Sequence, residues 1–300
     1  MSRYQNGTYY VGRVIKLGIL DTEKLIDAIL RPSPLRAWGN AWTFINATKT
    51  KSDKGEFVYA KLCKYSPDAE VVIVDPAQSK ELKQNEPNLS IASSPFVYIP
   101  EFSGIAFLRV SNHIEPKTFM NKFCKVIENK YHNFFVECAI EPIADIRSFA
   151  IKLSKLKGIY SISANISPPN PLFGPLWENL KTYLEERRTD KMKILEESYE
   201  DHTLNTNLPA LVQGVADQTP EHPFEAQKVD IGDAAVLMAA DGYGAGYVKG
   251  RMENEIVTIK TSDTIKNFSF SKDPKPEALF NKAYDILKKI KDDRHMKHDI

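Results

Sequence analysis

The chain has 300 residues, more than the roughly 100–200 of a typical domain, so it is one large domain with appendages or two in intimate contact. Its 42% hydrophobic and 26% charged content excludes disorder and fibrous repeats, and the longest purely apolar run, residues 234–240, is far short of the roughly 20 that span a bilayer. A net charge of +1 hides a division: residues 1–170 hold 22 Lys and Arg against 16 Asp and Glu, and residues 171–300 hold 18 against 23.

β-Formers over residues 8–17 (Tyr9, Tyr10, Val11, Val14, Ile15) predict an early strand. Asp21 or Thr22 caps a helix whose apolar face is Leu25, Ile26, Ile29 and Leu30. Pro32 and Pro34 end it, because proline cannot donate and clashes with the preceding turn. Alternation through Trp42, Phe44 and Asn46, then over 55–65, predicts two strands joined by a polar hairpin loop at 49–54. A short strand is expected at 71–74, and residues 76–90 read as a loop or a poorly packed helix. Residues 96–99 and 105–110 flank a hairpin connection. Pro116 opens a helix with Phe119, Met120, Phe123 and Ile127 at helical spacing. Phe134, Val136, Cys138 and Ile140 are expected on one face of a strand. Asp145 caps a helix carrying Ile146, Phe149, Leu153 and Leu156, closed by Gly158, and Tyr160, Ile162, Ala164 and Ile166 mark the next strand.

Pro168, Pro169 and Pro171 make a rigid break, which divides the chain into a part at 1–170 and a part at 171–300. After it, Leu176, Trp177, Leu180, Tyr183 and Leu184 predict a helix running on towards Tyr199. Its stretch at 185–191 lacks apolar residues, so the helix projects into solvent or breaks near Thr189. An apolar stripe that leaves its own core this way suggests a homodimer, the alternative being a helix folded back on the same chain. A short helix is expected at 208–215, a closing antiparallel sheet at 229–240, 243–252 and 256–261, and a last helix from Pro276 that buries Leu279, Phe280, Ala283, Leu287 and Ile290. The fold class is α+β: a mixed or antiparallel sheet with helices on one face, then a C-terminal helical and β-hairpin region.

Chemistry is sparser. Glycines cluster over 241–250, but strand formers follow them rather than a helix, which favours a bulged hairpin over a phosphate loop. His295 and His298 are three apart in a charged tail, Cys63, Cys124 and Cys138 form no C-x-x-C, and no metal or cofactor is expected. Glu137 and Glu141 share a strand face with Asp145 just beyond, and such carboxylates are the weak catalytic candidates, able in principle to hold Mg²⁺ for phosphodiester hydrolysis. The stronger signal is basic. Lys117, Lys122, Lys125 and Lys130 decorate one helix and Arg147, Lys152, Lys155 and Lys157 the next; on one side of one sheet they would form a stripe for phosphates. Three cysteines, and an N-terminus with no apolar core, predict a cytoplasmic protein without a membrane span.

The run Ser94-Pro95-Phe96-Val97-Tyr98-Ile99 with Gly104-Ile105-Ala106-Phe107-Leu108-Arg109, then Val136-Glu137, Ile140-Glu141-Pro142 and Ile166-Ser167-Pro168-Pro169-Asn170-Pro171, resembles an uncharacterised bacterial family found around mobile elements and phage-defence loci. More distantly, the middle segment resembles the DNA-binding protein of the phage-lambda Rex exclusion system. The resemblance implies a cytosolic defence component, dimeric and acting on DNA. The expected function is therefore non-enzymatic, largely sequence-independent nucleic-acid binding. The alternatives are a Mg-dependent nuclease, or a protein-interaction subunit that engages a second defence protein.

Overall fold

The computed structural model describes residues 6–37, 39–167, 186–187, 189–199, 202–219, 222, 224 and 229–294. Among them are twelve strands: β1 (Asn6–Gly18), β2 (Leu35–Ala37), β3 (Asn40–Ser52), β4 (Gly55–Asp75), β5 (Lys80–Ile99), β6 (Gly104–Leu108), β7 (Val136–Pro142), β8 (Gly158–Ile166), β9 (Met192–Glu197), β10 (Gly244–Met252), β11 (Glu255–Lys260) and β12 (Asn267–Ser271). The helices are α1 (Thr22–Leu30), α2 (Pro116–Lys130), α3 (Ile146–Leu153), α4 (Leu208–Asp217), α5 (Ile231–Met238) and α6 (Pro276–Arg294). None of them is long and apolar enough to cross a membrane.

The strands form two antiparallel sheets, one in the order β12-β1-β6-β5-β4-β3-β2 with β7 added to β1, the other β11-β10-β8-β9. The larger sheet is buried on both faces, which is why its central strands read as nearly continuous apolar runs. On one face α1 and α2 bring Leu25, Ile29, Phe119 and Phe123 against Phe44, Phe96 and Phe107, with Phe107 and Phe119 stacked at 4.1 Å. On the other, α6 lays Leu279, Phe280, Ala283 and Leu287 over Tyr9, Phe57, Val97 and Ile99, with Phe57 and Phe280 stacked at 4.2 Å. Burying one such phenyl side chain stabilises by about 1.5–3 kcal/mol, and the ring pairing adds about 0.5–1.5. The smaller sheet shares a third core with α3, α4 and α5. That core draws Phe149, Leu153 and Ile162 from before the proline break and Leu211, Val236 and Val248 from after it.

The fold is α+β and antiparallel, as the patterning predicts, and helices lie on both faces of the larger sheet rather than on one. Four local expectations are corrected. Residues 49–52 continue β3, leaving only Asp53 and Lys54 between the strands. Residues 80–90 are strand, the return half of a ribbon paired from Tyr65↔Ser90 out to Asp75↔Lys80. Residues 231–238 are helical, not strand, because an Ala-rich segment buried all round carries no period to read. Residues 192–197 are strand β9, so no helix runs to Tyr199. The stripe at Trp177, Leu180, Tyr183 and Leu184, and the prolines before it, lie outside the described residues.

One buried side chain ties the two sheets together. Arg13 on β1 donates from Nε to the Asp241 carbonyl (2.8 Å) and from Nη1 to the Phe102 carbonyl (2.7 Å), with its guanidinium 4.6 Å above the Tyr243 ring. Gly242 makes this approach possible: its φ is +84°, and a Cβ there would meet the Arg13 side chain, Ile143 and the Glu141 carbonyl. A backbone bond from Ala144 N to Ala240 O (2.7 Å) closes the same seam.

Candidate nucleic-acid interface

Pro116 sits in the first turn of α2, where its missing N–H costs nothing, and Phe119, Phe123, Val126 and Ile127 bury one side of the helix. The lysines are left outward. Lys122 and Lys64, which comes from β4, lie with their ammonium nitrogens 5.6 and 6.0 Å from the ring centre of Trp42, itself buried on β3. Burial, reinforced by the nearby charges of Lys125 and Lys64, pulls Lys122 below the ordinary lysine range. The carboxylates that flank these lysines are used elsewhere. Glu115 is paired with Arg109 (2.6 Å), and Glu128 accepts from the backbone N–H of Cys138 (2.9 Å). None of Lys64, Lys122 and Lys125 has an ion-pair partner among the described residues. The patch is a group of like charges over an aromatic floor, with exposed Lys117 in the helix's first turn and Lys130 in its last.

The second basic helix does not extend this patch across one sheet, as the sequence suggests. α3 packs Phe149, Ala150 and Leu153 into the core of the smaller sheet, whereas α2 belongs to the larger. The two apolar stripes look alike in sequence, and nothing in their spacing tells which sheet each one covers. Arg147 reaches the Ala216 carbonyl (3.4 Å), Lys152 the Asp263 carbonyl (3.4 Å), and Lys155 and Lys157 are exposed.

The three carboxylates are dispersed in function. Glu137 is paired with Lys191 at 2.5 Å. Burial raises the Glu141 carboxyl above its usual range, opposed by Lys191. Asp145 caps α3 by accepting from Ser148 N (3.0 Å) and pairs with Lys266 (2.7 Å). Burial alone would raise its pKa, but the Lys266 and Ser148 bonds outweigh that and hold it below the usual range. Among the described residues these acids form no group able to hold a metal ion. Cys138 is buried beside Cys124, whose thiol is pushed well up by burial and then by that neighbour. Residues 244–250 of the glycine run lie in β10, paired on both sides by β8 and β11, whereas 241–243 form a helical turn; His295 and His298 lie outside the described residues. Phe134 is not on the β7 core face: it and Phe135 stand exposed on the turn after α2, their rings 4.5 Å apart.

Sequence reasoning missed Lys64 and Trp42 as members of the patch. The signal was present: Lys64 follows Val58, Ala60 and Leu62 on an inward-facing register, where a cation is out of place.

These features define a two-sheet antiparallel α+β protein with a lysine-crowded aromatic surface. A family model, DUF4747, a domain of unknown function, matches residues 7–218, more than half of the chain, and the chain belongs to that family. No curated protein sequence matches it significantly. The match stops short of β10, β11, β12 and α6, although these complete both sheets.

Proposed function

We propose that this chain is a non-enzymatic protein that binds nucleic acid through the phosphate backbone, largely without regard to base sequence. The observation that supports this reading is the crowding of Lys64 and Lys122 at Trp42, with Lys125 near Lys122 and no ion-pair partner for any of the three among the described residues. Like charges gathered in this way repel one another until an anion arrives, and lysines that neutralise phosphates release the counterions condensed on the nucleic acid. Lys117 and Lys130 extend the patch, and Lys152, Lys155 and Lys157 offer a second, separate cationic face. The nuclease reading has less support, since Glu137 and Asp145 are each held by a lysine. The setting belongs to the same proposal and rests on the likeness carried by residues 94–109 and 136–171: antiphage defence in the bacterial cytoplasm, as a homodimer and with a second defence protein as partner.

A mobility-shift titration at low salt tests the binding. Retention of DNA should fall steeply with added salt. Replacing Lys64, Lys122 and Lys125 by glutamate should make the slope of log K against log salt shallower by about 2–3, one unit or slightly less per lost phosphate contact. A wild-type protein that retards neither DNA nor RNA rejects the reading. Phage plating on cells that express the chain tests the defence role.

A further inference from the structure

Two clefts meet at the start of α3, on either side of Asp145. The larger, about 610 Å³, lies between α3, the C-terminal end of α4 and α6; the smaller, about 460 Å³, runs along Ser148 and Thr264 to Asn267. Both volumes fall in the range of small-molecule sites.

Charge distinguishes the larger cleft. Arg147, Lys288 and Lys289 border it, and none has an ion-pair partner among the described residues. Of the acids on its walls, Asp145 is held by Lys266 (2.7 Å) and Asp285 by Lys54 (2.6 Å), which leaves exposed Asp292 as the opposing charge. Each cleft also has in its wall a buried polar atom with no hydrogen-bond partner among the described residues: the amide Nε2 of Gln218 in the larger and the hydroxyl of Thr264 in the smaller. Buried polar groups are nearly always hydrogen-bonded to protein, water or ligand, so these two atoms, on either side of one carboxylate, are open to a partner that enters the clefts. A donor beside three cations suits phosphate oxygens. The smaller cleft, lined by Ser148, Ser262, Thr264 and Asn267, suits hydroxyls.

We propose that the paired clefts bind a phosphorylated small molecule with a hydroxylated body, the chemistry of a nucleotide, its phosphates on Arg147, Lys288 and Lys289. This site is built on the smaller sheet and α6, apart from the Lys64, Lys122 and Lys125 surface, and does not rest on the nucleic-acid reading.

Calorimetric titration of the full chain with ADP, inorganic pyrophosphate and adenosine tests the proposal. ADP and pyrophosphate bind, and adenosine, lacking phosphate, binds at least about tenfold more weakly. Arg147→Lys with Lys289→Glu, both at exposed positions, weakens ADP by about a hundredfold, and a circular-dichroism spectrum like that of the wild type shows that the fold is kept. Absence of heat with both ADP and pyrophosphate at millimolar concentration overturns the proposal, as does undiminished ADP binding by the double variant. The Lys64→Glu, Lys122→Glu, Lys125→Glu protein separates the two readings, because it keeps its ADP affinity whether or not the wild type retains DNA. If a single-stranded oligonucleotide displaces ADP from that variant, the cleft belongs to nucleic acid and the small-molecule ligand is rejected.

Discussion

The hairpin of β4 and β5 stays antiparallel from base to tip while it passes through two environments. At its base, Phe57, Val58, Phe96 and Val97 are fully buried, with α2 on one face and α6 on the other. Past the bulge at Lys64 and Tyr65 the ladder, shifted by one residue, runs on to Asp75↔Lys80, yet no residue from 65 to 91 belongs to any of the three cores, and Val72 and Val74 are 55% and 71% exposed. An isolated two-stranded ribbon is marginal in water. The tip therefore borrows its order from the base, by propagating a ladder that is already anchored. Its charges, Asp68, Glu70, Asp75, Glu81 and Glu86 against Lys80 and Lys83, protect open strand edges from pairing with other chains.

The largest break in this comparison is at the base. Phe96→Ala removes a ring that meets Phe44, Phe119 and Phe123 at 5.3–5.7 Å, and should cost about 3–5 kcal/mol in denaturant unfolding. Covered carboxylates extend the contrast to charge. Burial raises the Asp233 carboxyl, only partly offset by the Thr206 hydroxyl, so ionisation opposes folding and stability falls as pH rises from 3.8 towards the raised value. Asp233→Asn should then melt higher than wild type at pH 7, with the gain gone below pH 3.8. Asp145 has the opposite sign: its depressed pKa contributes stability above 3.8 that is lost as pH falls through the depressed value. Asp145→Asn should melt lower at pH 7 and converge with wild type in acid, which a pair of melting curves would show. Replacing residues 68–87 with an Asn-Gly turn should change global stability by less than about 1 kcal/mol, since no core contact is lost. The smallest effect is expected for Ile73→Thr at the tip, within about 0.5 kcal/mol. A loss comparable to that of Phe96→Ala from either tip change would show that something covers the ribbon in solution.

The same contrast explains what could be read from sequence. α1, α2, α3 and α6 were legible because each buries one stripe, as with Leu279, Phe280, Ala283 and Leu287, and β1 and β8 because their buried runs are rich in β-branched and aromatic residues. Residues 80–90 were not, because a strand exposed on both faces has no need to alternate. α5 failed for the reverse reason: Gly232 to Met238 are all buried, so no polar face marks a helical period. β12 shows alternation in Asn-Phe-Ser-Phe-Ser, but five residues are too few to stand out. In the candidate interface, Lys117, Lys122 and Lys125 could be found from helix spacing. Their meeting with Lys64 and Trp42 depends on which sheet face α2 covers, a long-range fact that no local pattern carries.

The placement of β12 and α6 has a consequence for how the protein is made. Tyr9 pairs with Phe268, and the sheet face bearing Phe57, Val97 and Ile99 is covered by Leu279, Phe280, Ala283 and Leu287 of α6. At ribosomal rates of about 5–20 residues per second, β1 waits on the order of 10–50 s for its last neighbour to be translated. Throughout that interval the nascent sheet displays an aromatic surface that belongs inside. A message cut before codon 279 would yield a chain unable to hide that surface, and its fate would be set by chaperones and proteases rather than by folding.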